Sequence, residues 1–398
     1  MKLRWVISLV GLCVMCVGCD SREQPPAIGG DTRAKRECPT HFELELNGTV
    51  SRFDPGWSGS AHGVGLPTGS NFSVEVTSCD SDCRRCQFHG PVASDPAVFP
   101  VNNRRCLSKV TQTCTTNEEC GAMGPCRFLF PPIAAELIVP TCSIAYLEPL
   151  TTGLDQSPVQ GVIDLDTGET DMSVMNLFIK LGIEGCRSCQ GDTTANDDVK
   201  SGMCTGAPAA ACDTNGIGTS VVALTSFDCP NAPGMYIIPL SANGTSTSEK
   251  SWTMDASRPN CTATGATGKK CWCGMCGDGK SCTRKADCAS GNCGVATGPA
   301  GVVYSINNHA CGMGTCNWDP AKQEGRCSNM MTKTCFPDSG TIVARGTAEV
   351  REGFYIAQLA NLLCMPSFDG GLVDMIGGFP GMVYFEARFR VIPRTAPP

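Results

Sequence analysis

The stretch VIDLDTGETDMSVMNLFIKL, residues 162–181, has the pattern of two β-strands joined by a tight turn. Val162, Ile163 and Leu165 make the segment 162–165 mostly apolar, and Asp166-Thr167-Gly168 supplies the aspartate and glycine that tight turns favour. Met172–Leu181 is then long and apolar enough for a second strand. The stretch therefore predicts a β-hairpin, and similar patterns recur along the chain.

Other strands are predicted where apolar residues alternate before a turn signal or a cysteine, because alternation places one set of side chains on one face of a sheet. Asn-Gly, the strongest short turn signal, occurs at 47–48 and 243–244. The predicted strands contain Phe42, Leu44 and Leu46; Phe72, Val74 and Val76, before Cys79; Met235–Leu240, then Trp252 and Met254; and Met382–Ile392, which we expect to close the sheet.

Composition indicates many turns and little helix, since the chain holds 45 glycines and 27 prolines among its 398 residues. One short helix is predicted over Phe354–Leu363, where Ile356, Leu359, Ala360 and Leu363 share a helical face. At this length we expect two or three core units.

The cysteines follow the predicted hairpins in the same order three times. Each hairpin precedes a C-x-x-C motif, then a C-x7-C motif, then a strand and a lone cysteine. The C-x-x-C motifs are Cys83/Cys86, Cys186/Cys189 and Cys273/Cys276, the C-x7-C motifs are Cys106/Cys114, Cys204/Cys212 and Cys327/Cys335, and the lone cysteines are Cys142, Cys229 and Cys364. This order predicts about three degenerate repeats, at 38–158, 159–232 and 233–398.

Two segments carry closely spaced cysteines and almost no apolar residues, so we expect disulfides to hold them as knotted loops. One contains Cys114, Cys120 and Cys126, and the other, within 271–335, contains Cys282, Cys288 and Cys293. The predicted fold is all-β, a disulfide-rich antiparallel sandwich or barrel with such loops. The cysteines predicted to form structural disulfides are Cys83, Cys86, Cys106, Cys114, Cys120, Cys126, Cys186, Cys189, Cys204, Cys212, Cys273, Cys276, Cys282, Cys288, Cys293, Cys327 and Cys335.

Residues 1–19 have the pattern of a bacterial lipoprotein signal peptide. Met1–Arg4 carries two positive charges, Trp5–Val17 is apolar but too short to span a bilayer, and Val17-Gly18 precedes Cys19. Of the 29 cysteines, 26 follow this leader, an even number that suits complete pairing in an oxidising compartment. We therefore predict a lipid anchor at Cys19, with 20–37 as a flexible tether.

The leader, the knot Cys282–Cys293 and the ending Leu362-Leu363-Cys364-Met365-Pro366 together resemble uncharacterised cysteine-rich secreted lipoproteins of the myxobacterial type. The resemblance covers most of the chain. It implies an extracytoplasmic location in the bacterial cell envelope, with the outer membrane or the cell surface favoured, and a style of fold rather than a reaction.

Charge and motif context argue against nucleic acid and nucleotide partners. The net charge is −7, whereas phosphate binding needs clustered Lys and Arg. Gly274–Ser281 matches the P-loop string, but a working P-loop needs a preceding apolar strand and a following helix. Here cysteine-rich sequence flanks the motif on both sides.

Three other motifs leave alternatives open. Asp166 and Asp338 each begin a D-[TS]-G sequence, like the paired loops of aspartic proteases, which leaves a secreted aspartic-type hydrolase open. The C-x-x-C pairs leave an envelope redox or metal-binding protein open. Calcium is a minor cofactor alternative, at Asp164, Asp166, Glu169 and Asp171 or at Asp192, Asp197 and Asp198.

No set of nucleophile, base and acid emerges from the sequence, so catalysis is not predicted and no catalytic, cofactor or metal residue is assigned. The favoured hypothesis is a lipid-anchored extracytoplasmic protein with a structural or binding role at the cell envelope. Its expected partners are the membrane, through the lipid, and a protein or glycan ligand, because loops on a rigid frame suit such contacts.

Overall fold

The structure is a computed structural model of the whole chain. The residues that it describes are 36–48, 50–54, 64–66, 70–94, 103–136, 140–148, 157–182, 185–206, 209–217, 224–229, 236–254, 274–275, 281–282, 288–289, 315–322, 324–334, 340–365 and 381–395. The chain divides into Met1–Arg36 and Glu37–Pro398, and every element named below belongs to the second unit.

The described residues are mostly β, with one α-helical turn, α1 (Asn117–Cys120), followed by a 3-10 turn (Gly121–Met123). The strands are β1 (His41–Leu46), β2 (Arg52–Asp54), β3 (Val64–Gly65), β4 (Phe72–Cys79), β5 (Arg85–Val92), β6 (Arg104–Cys106), β7 (Lys109–Thr113), β8 (Cys126–Leu129), β9 (Ile133–Glu136), β10 (Pro140–Leu147), β11 (Val159–Asp164), β12 (Thr170–Gly182), β13 (Cys189–Gln190), β14 (Gly202–Cys204), β15 (Ala211–Cys212), β16 (Gly216–Ile217), β17 (Leu224–Thr225), β18 (Tyr236–Ser246), β19 (Glu249–Met254), β20 (Gly274–Met275), β21 (Ser281–Cys282), β22 (Cys316–Asp319), β23 (Glu324–Cys327), β24 (Met330–Thr334), β25 (Gly340–Arg345), β26 (Thr347–Arg351), β27 (Phe354–Met365) and β28 (Gly381–Arg394).

Eight of these strands form a closed antiparallel barrel. Their order around the ring is β11-β5-β4-β1-β28-β27-β18-β12, and β12 pairs with β11 to complete it. The last strand, β28, lies between β1 and β27, with Phe42 opposite Pro393 and Leu359 opposite Ala387. The all-β, disulfide-rich fold is therefore confirmed, and Met382–Ile392 closes the ring as predicted.

The barrel takes strands from all three predicted repeats. β1, β4 and β5 come from 38–158, β11 and β12 from 159–232, and β18, β27 and β28 from 233–398. A single hydrophobic core thus joins distant parts of the chain, while the predicted repeat boundaries stay a prediction.

Side chains fill the barrel interior. The alternating residues predicted for β1 and β4 point inwards, and Phe42, Phe72 and Val74 are at most 2% exposed. Their aromatic rings pack edge to face, with the Phe72 and Phe389 centroids 6.0 Å apart. A cavity lined by these core residues has a volume of about 10 Å³, at the lower limit for holding a single water molecule. A cavity of this size is too small for a ligand.

Two local predictions were wrong. Phe354–Leu363 lies in strand β27 rather than in a helix, because Ala357 and Leu359 alternate into the core while the strand pairs with β28 along its length. Asn243-Gly244 lies inside β18 and is not a hairpin turn. Two residues lie between Ala242 and Thr245, while only Ser173 lies between Met172 and Val174 on the partner strand, so Asn243-Gly244 forms a β-bulge.

Seven disulfides have both cysteines among the described residues. Cys38–Cys83 and Cys79–Cys86 fasten the corner at β1, β4 and β5, and Cys142–Cys186 links β10 to the segment after β12. The remaining bonds are Cys106–Cys120, Cys114–Cys126, Cys189–Cys212 and Cys204–Cys229. The two cysteines of each C-x-x-C motif in these segments, Cys83/Cys86 and Cys186/Cys189, are bonded to other cysteines and not to each other.

Among the described residues, the search for membrane-spanning helices finds none with the length and apolar character that a span requires.

Candidate functional site

A small polar region beside the barrel combines two disulfides with several aspartates. We call residues 185–206, 209–217 and 224–229 the disulfide module. Its short strands, β13 to β17, surround the buried bonds Cys189–Cys212 and Cys204–Cys229, which take the place of an aliphatic core. The module docks on β8 and β10 through Phe227, which is fully buried against Leu129, Ile144 and Tyr146. Thr225 Oγ1 adds a hydrogen bond to the Pro132 carbonyl oxygen, at 2.5 Å.

Two aspartates of the module are satisfied by hydrogen bonds that shape its loops. Asp192 Oδ1 accepts from Ser201 Oγ at 2.8 Å, and its Oδ2 accepts from the Thr214 amide at 2.6 Å. Asp228 accepts from Lys200 Nζ at 2.8 Å and from the Asp213 amide at 3.0 Å. These hydrogen bonds hold together segments that are far apart in sequence.

Asp213 differs from Asp192 and Asp228 because only one of its carboxylate oxygens accepts a hydrogen bond of normal geometry. Its side chain is 2% exposed, and its Oδ2 accepts from Asn215 Nδ2 at 3.0 Å. Its Oδ1 is buried without a hydrogen-bond partner, as is Oγ1 of the neighbouring Thr214. Burial, and then the negative charges of Asp192 and Asp197, raise the pKa of Asp213 to about 6.

A buried cation lies next to this cluster. Arg105, on β6, is 6% exposed, and its Cζ lies 4.7 Å from the centroid of the Phe227 ring. Desolvation lowers the pKa of Arg105, whereas the charges of Asp228, Asp198 and Asp213 raise it. Arg105 thus partly balances the negative charge of the module from the neighbouring sheet.

The sequence predicted Asp192, Asp197 and Asp198 as one acidic group but missed Asp213, Asp228, Thr214 and Arg105. Asp213 and Asp228 each adjoin a cysteine of the module, Cys212 and Cys229. This adjacency was the sequence signal for their position, since a residue next to a buried disulfide lies close to the interior of the module.

The other acidic group, at the β11–β12 turn, is exposed. Asp164 Oδ1 accepts from the amides of Asp166 and Thr167, at 2.8 and 3.1 Å, which is the usual role of an aspartate in a turn. Asp166 Oδ2 pairs with Arg84 Nε at 2.7 Å. Asp338, its predicted partner in an aspartic-type site, lies outside the described residues.

The P-loop string begins and ends in a short hairpin. Gly274-Met275 pairs antiparallel with Ser281-Cys282. A nucleotide-binding loop runs instead from a strand into a helix, so the context of Gly274–Ser281 differs from that of a P-loop.

The cysteine clusters are disulfides rather than thiolate sites. Among the described residues, potential metal-ligand atoms gather in groups of three at Cys106, Cys114 and Cys120 and at Cys204, Cys212 and Cys229. Each of these cysteines is bonded to a partner. Cys288 and Cys327 are also disulfide-bonded. Cys19, Cys273, Cys276, Cys293 and Cys335 lie outside the described residues, as does the side chain of Cys282.

A second buried polar group lies on the outer face of β1 and β4. Ser73 Oγ donates to Glu43 Oε2 and lies 2.8 Å from Ser94 Oγ, while His41 Nε2 lies 3.5 Å from Glu43 Oε1. Glutamate stands between histidine and serine here, whereas histidine stands in the middle of a serine–histidine–acid triad. This arrangement does not activate the serine in the manner of a triad.

Comparisons of this chain with models of protein families, with curated proteins and with solved structures find no match.

Proposed function

We propose that this protein is a lipid-anchored extracytoplasmic protein with a structural or binding role at the bacterial cell envelope. In this proposal Cys19 carries the lipid and 20–37 is the tether. The barrel is a rigid frame, and the disulfide module and loops outside it contact a protein or glycan partner.

The observation that carries the proposal is a closed barrel that is filled inside and cross-linked outside. A filled interior leaves recognition to the outer surface, in contrast to barrels that hold a ligand in a central cavity. The disulfides are consistent with an extracytoplasmic location, because such bonds persist in oxidising compartments. They also stiffen loops with small apolar cores, which suits loops that contact a partner.

The anchor is tested by measuring the intact mass of the protein purified from its native membranes, with and without thiol alkylation. We expect a mature chain that starts at Cys19 with two or three acyl chains and no alkylated thiol. The variant Cys19→Ser should be released from the membrane fraction, whereas the matched control Cys13→Ser should stay bound. A mature chain starting elsewhere would contradict the anchor, and free thiols would favour the redox or metal-binding alternative.

The hydrolase alternative has a separate test. If the chain were an aspartic-type hydrolase, acid-dependent cleavage of a denatured protein substrate would disappear in both Asp166→Asn and Asp338→Asn. We expect the wild-type protein to show no such cleavage, because Asp166 is an exposed turn residue paired with Arg84.

A further inference from the structure

We propose that the disulfide module binds one divalent cation, calcium, through Asp213 Oδ1, Thr214 Oγ1 and carboxylate oxygens of the 192–198 loop. This inference does not depend on the lipid anchor or on a partner at the cell envelope. It rests on two buried oxygens, on the local charge and on the ligand chemistry of the module.

The two buried oxygens are the first argument. Asp213 and Thr214 are 2% and 1% exposed, and neither Asp213 Oδ1 nor Thr214 Oγ1 makes a hydrogen bond of normal length and angle. Leaving a buried polar atom unpaired costs about 1–3 kcal/mol, and more for a charged group. Both side chains lie beside the 192–198 loop, because the Asp198 amide acts on the Asp213 carboxylate and the Thr214 hydroxyl acts on the Asp192 carboxylate. A ligand bound at this loop could reach both atoms. Asp213 Oδ1 is a carboxylate oxygen and Thr214 Oγ1 is a neutral hydroxyl oxygen, so the site combines two kinds of ligand.

The charge near Asp213 is the second argument. Asp192, Asp197 and Asp228 all act on the Asp213 carboxylate to disfavour its charge. Arg105 and Lys200 are the cations whose contacts with the cluster are described, and Lys200 is already paired with Asp228. Five aspartates, with Asp198 included, therefore face two cations. A divalent ion would offset most of the remaining negative charge.

The available ligand atoms favour calcium over softer metals. All four cysteines of the module are bonded in pairs, so thiolates are not available there. The remaining donors are carboxylate, hydroxyl and amide oxygens, which Ca²⁺ binds in irregular sets of six to eight. Mg²⁺ demands a near-octahedral set and keeps several waters, so it fits a site built from loop segments less well.

The carboxylates do not form a closed cage in this structure. Among the described residues, no group of three carboxylate or imidazole ligand atoms lies within 4.8 Å of one another. The cation would therefore use few carboxylates together with neutral oxygens such as Thr214 Oγ1. Asp197 or Asp198, in the 192–198 loop, would supply the second carboxylate ligand.

Protonation of Asp213 is the alternative way to remove the free-energy cost of burying its charge. A proton would neutralise Asp213 without involving Thr214 Oγ1 or the 192–198 loop. The two explanations make opposite predictions about calcium at pH 7.5, where a carboxyl with a pKa of about 6 is ionised.

The experiment is calorimetric titration of the full, disulfide-intact protein with calcium chloride at pH 7.5, after chelator treatment and dialysis. We expect one Ca²⁺ per chain, an increase in the thermal unfolding midpoint, and a much weaker effect of magnesium chloride. Asp213→Asn should weaken binding at least about tenfold, because it removes a charged ligand.

Two further variants keep the test decisive if Asp213→Asn fails to fold. Thr214→Val preserves the shape of the side chain and removes only Oγ1, so it should weaken binding by a smaller factor. Asp166→Asn, in the exposed β11–β12 turn, is the matched control and should bind like the wild type. Absence of wild-type binding up to about 10 mM calcium would overturn the proposal, since extracellular calcium modules bind at or below such concentrations. Equal affinity in Asp213→Asn and Asp166→Asn would overturn it as well.

Discussion

Gly161 lies directly opposite Phe88 across the β11–β5 pair, and a Cβ atom on residue 161 would lie 2.4 Å from Phe88 Cζ. The missing side chain makes room for the aromatic ring inside the barrel. Gly161→Ala should therefore lower the free energy of unfolding by about 1–3 kcal/mol through overpacking. Urea unfolding followed by circular dichroism measures this change. The exposed neighbour Gln160 gives the control, and Gln160→Ala should stay within about 0.5 kcal/mol of wild type.

Gly244, in the bulge of β18, tests backbone conformation alone. Its φ is +69°, and no atom lies within 4 Å of the position that a Cβ would take. Gly244→Ala should cost about 1–2 kcal/mol because L-residues avoid this left-handed region. Gly244→Asn should cost less, since asparagine adopts the region several times more often. Equal losses in the two variants, measured by urea unfolding, would show that φ is not the cause.

The two disulfides at the β1–β4–β5 corner should differ in their effect on stability. Cys38–Cys83 closes a loop with a sequence separation of 45, whereas Cys79–Cys86 closes one of 7 within a hairpin. In the chain-entropy account, removing the disulfide that closes the longer loop should lower the free energy of unfolding by about 1.5 kcal/mol more than removing the other. The comparison is between the double variants Cys38→Ser/Cys83→Ser and Cys79→Ser/Cys86→Ser. The opposite order in their denaturation midpoints would contradict it.

Asp213 should make the metal-free protein less stable as the pH rises. Its pKa is about 6 in the folded state against an ordinary value of 3.8, so the folded state holds this proton more tightly than the unfolded state. Its stabilising contribution is therefore complete below about pH 4 and is lost as the pH rises through 6. In the presence of chelator, Asp213→Asn should gain stability over wild type, by up to about 3 kcal/mol at pH 7. Unfolding of both proteins between pH 4 and 7 measures this, and a constant difference across that range would rule out the titration of Asp213 as its cause.

Arg105 should be much more important for stability than Lys200, although both interact with the aspartates. Arg105 is 6% exposed, and its charge acts on Asp228, Asp198 and the buried Asp213, so Arg105→Met should cost about 1–3 kcal/mol. Lys200 is half exposed, and Lys200→Gln should cost at most about 1 kcal/mol. Combining Arg105→Met with Asp213→Asn should restore part of the loss. Independent, additive effects in that double variant would argue against a charge interaction between the two residues.

The sequence predicted strands well where alternation and a nearby turn or cysteine agreed. Phe42, Leu44 and Leu46 and the hairpin around Asp166-Thr167-Gly168 are examples, because these patterns act over a few residues. In β27, Ile356, Leu359, Ala360 and Leu363 also fit a helical face. Its pairing with β28, which is distant from this local pattern, decided the outcome.

The disulfide module could not be predicted as a site, because its geometry depends on which cysteines pair. Asp192, Asp213 and Asp228 come together in the module that Cys189–Cys212 and Cys204–Cys229 cross-link. Spacing leaves such connectivity open. The burial that raises the pKa of Asp213 is likewise a property of the folded module, and the only local signal for it is the neighbouring Cys212.

The pairing of β1 with β28 also determines when the fold can be completed. Thr40 donates its amide hydrogen to the Arg394 carbonyl oxygen at 2.7 Å, which joins the two ends of the folded unit. Because the chain is made from its amino terminus, β1 has to wait for nearly all the remaining residues before it gains this neighbour. Until β1 and β28 pair, the barrel strands can form only an open sheet with unpaired edges. Final closure should be slow, since it joins strands separated by almost the whole folded sequence. Before closure these edges are open to aggregation, and the Cys79–Cys86 disulfide would hold the β4–β5 hairpin together once the chain is in an oxidising compartment.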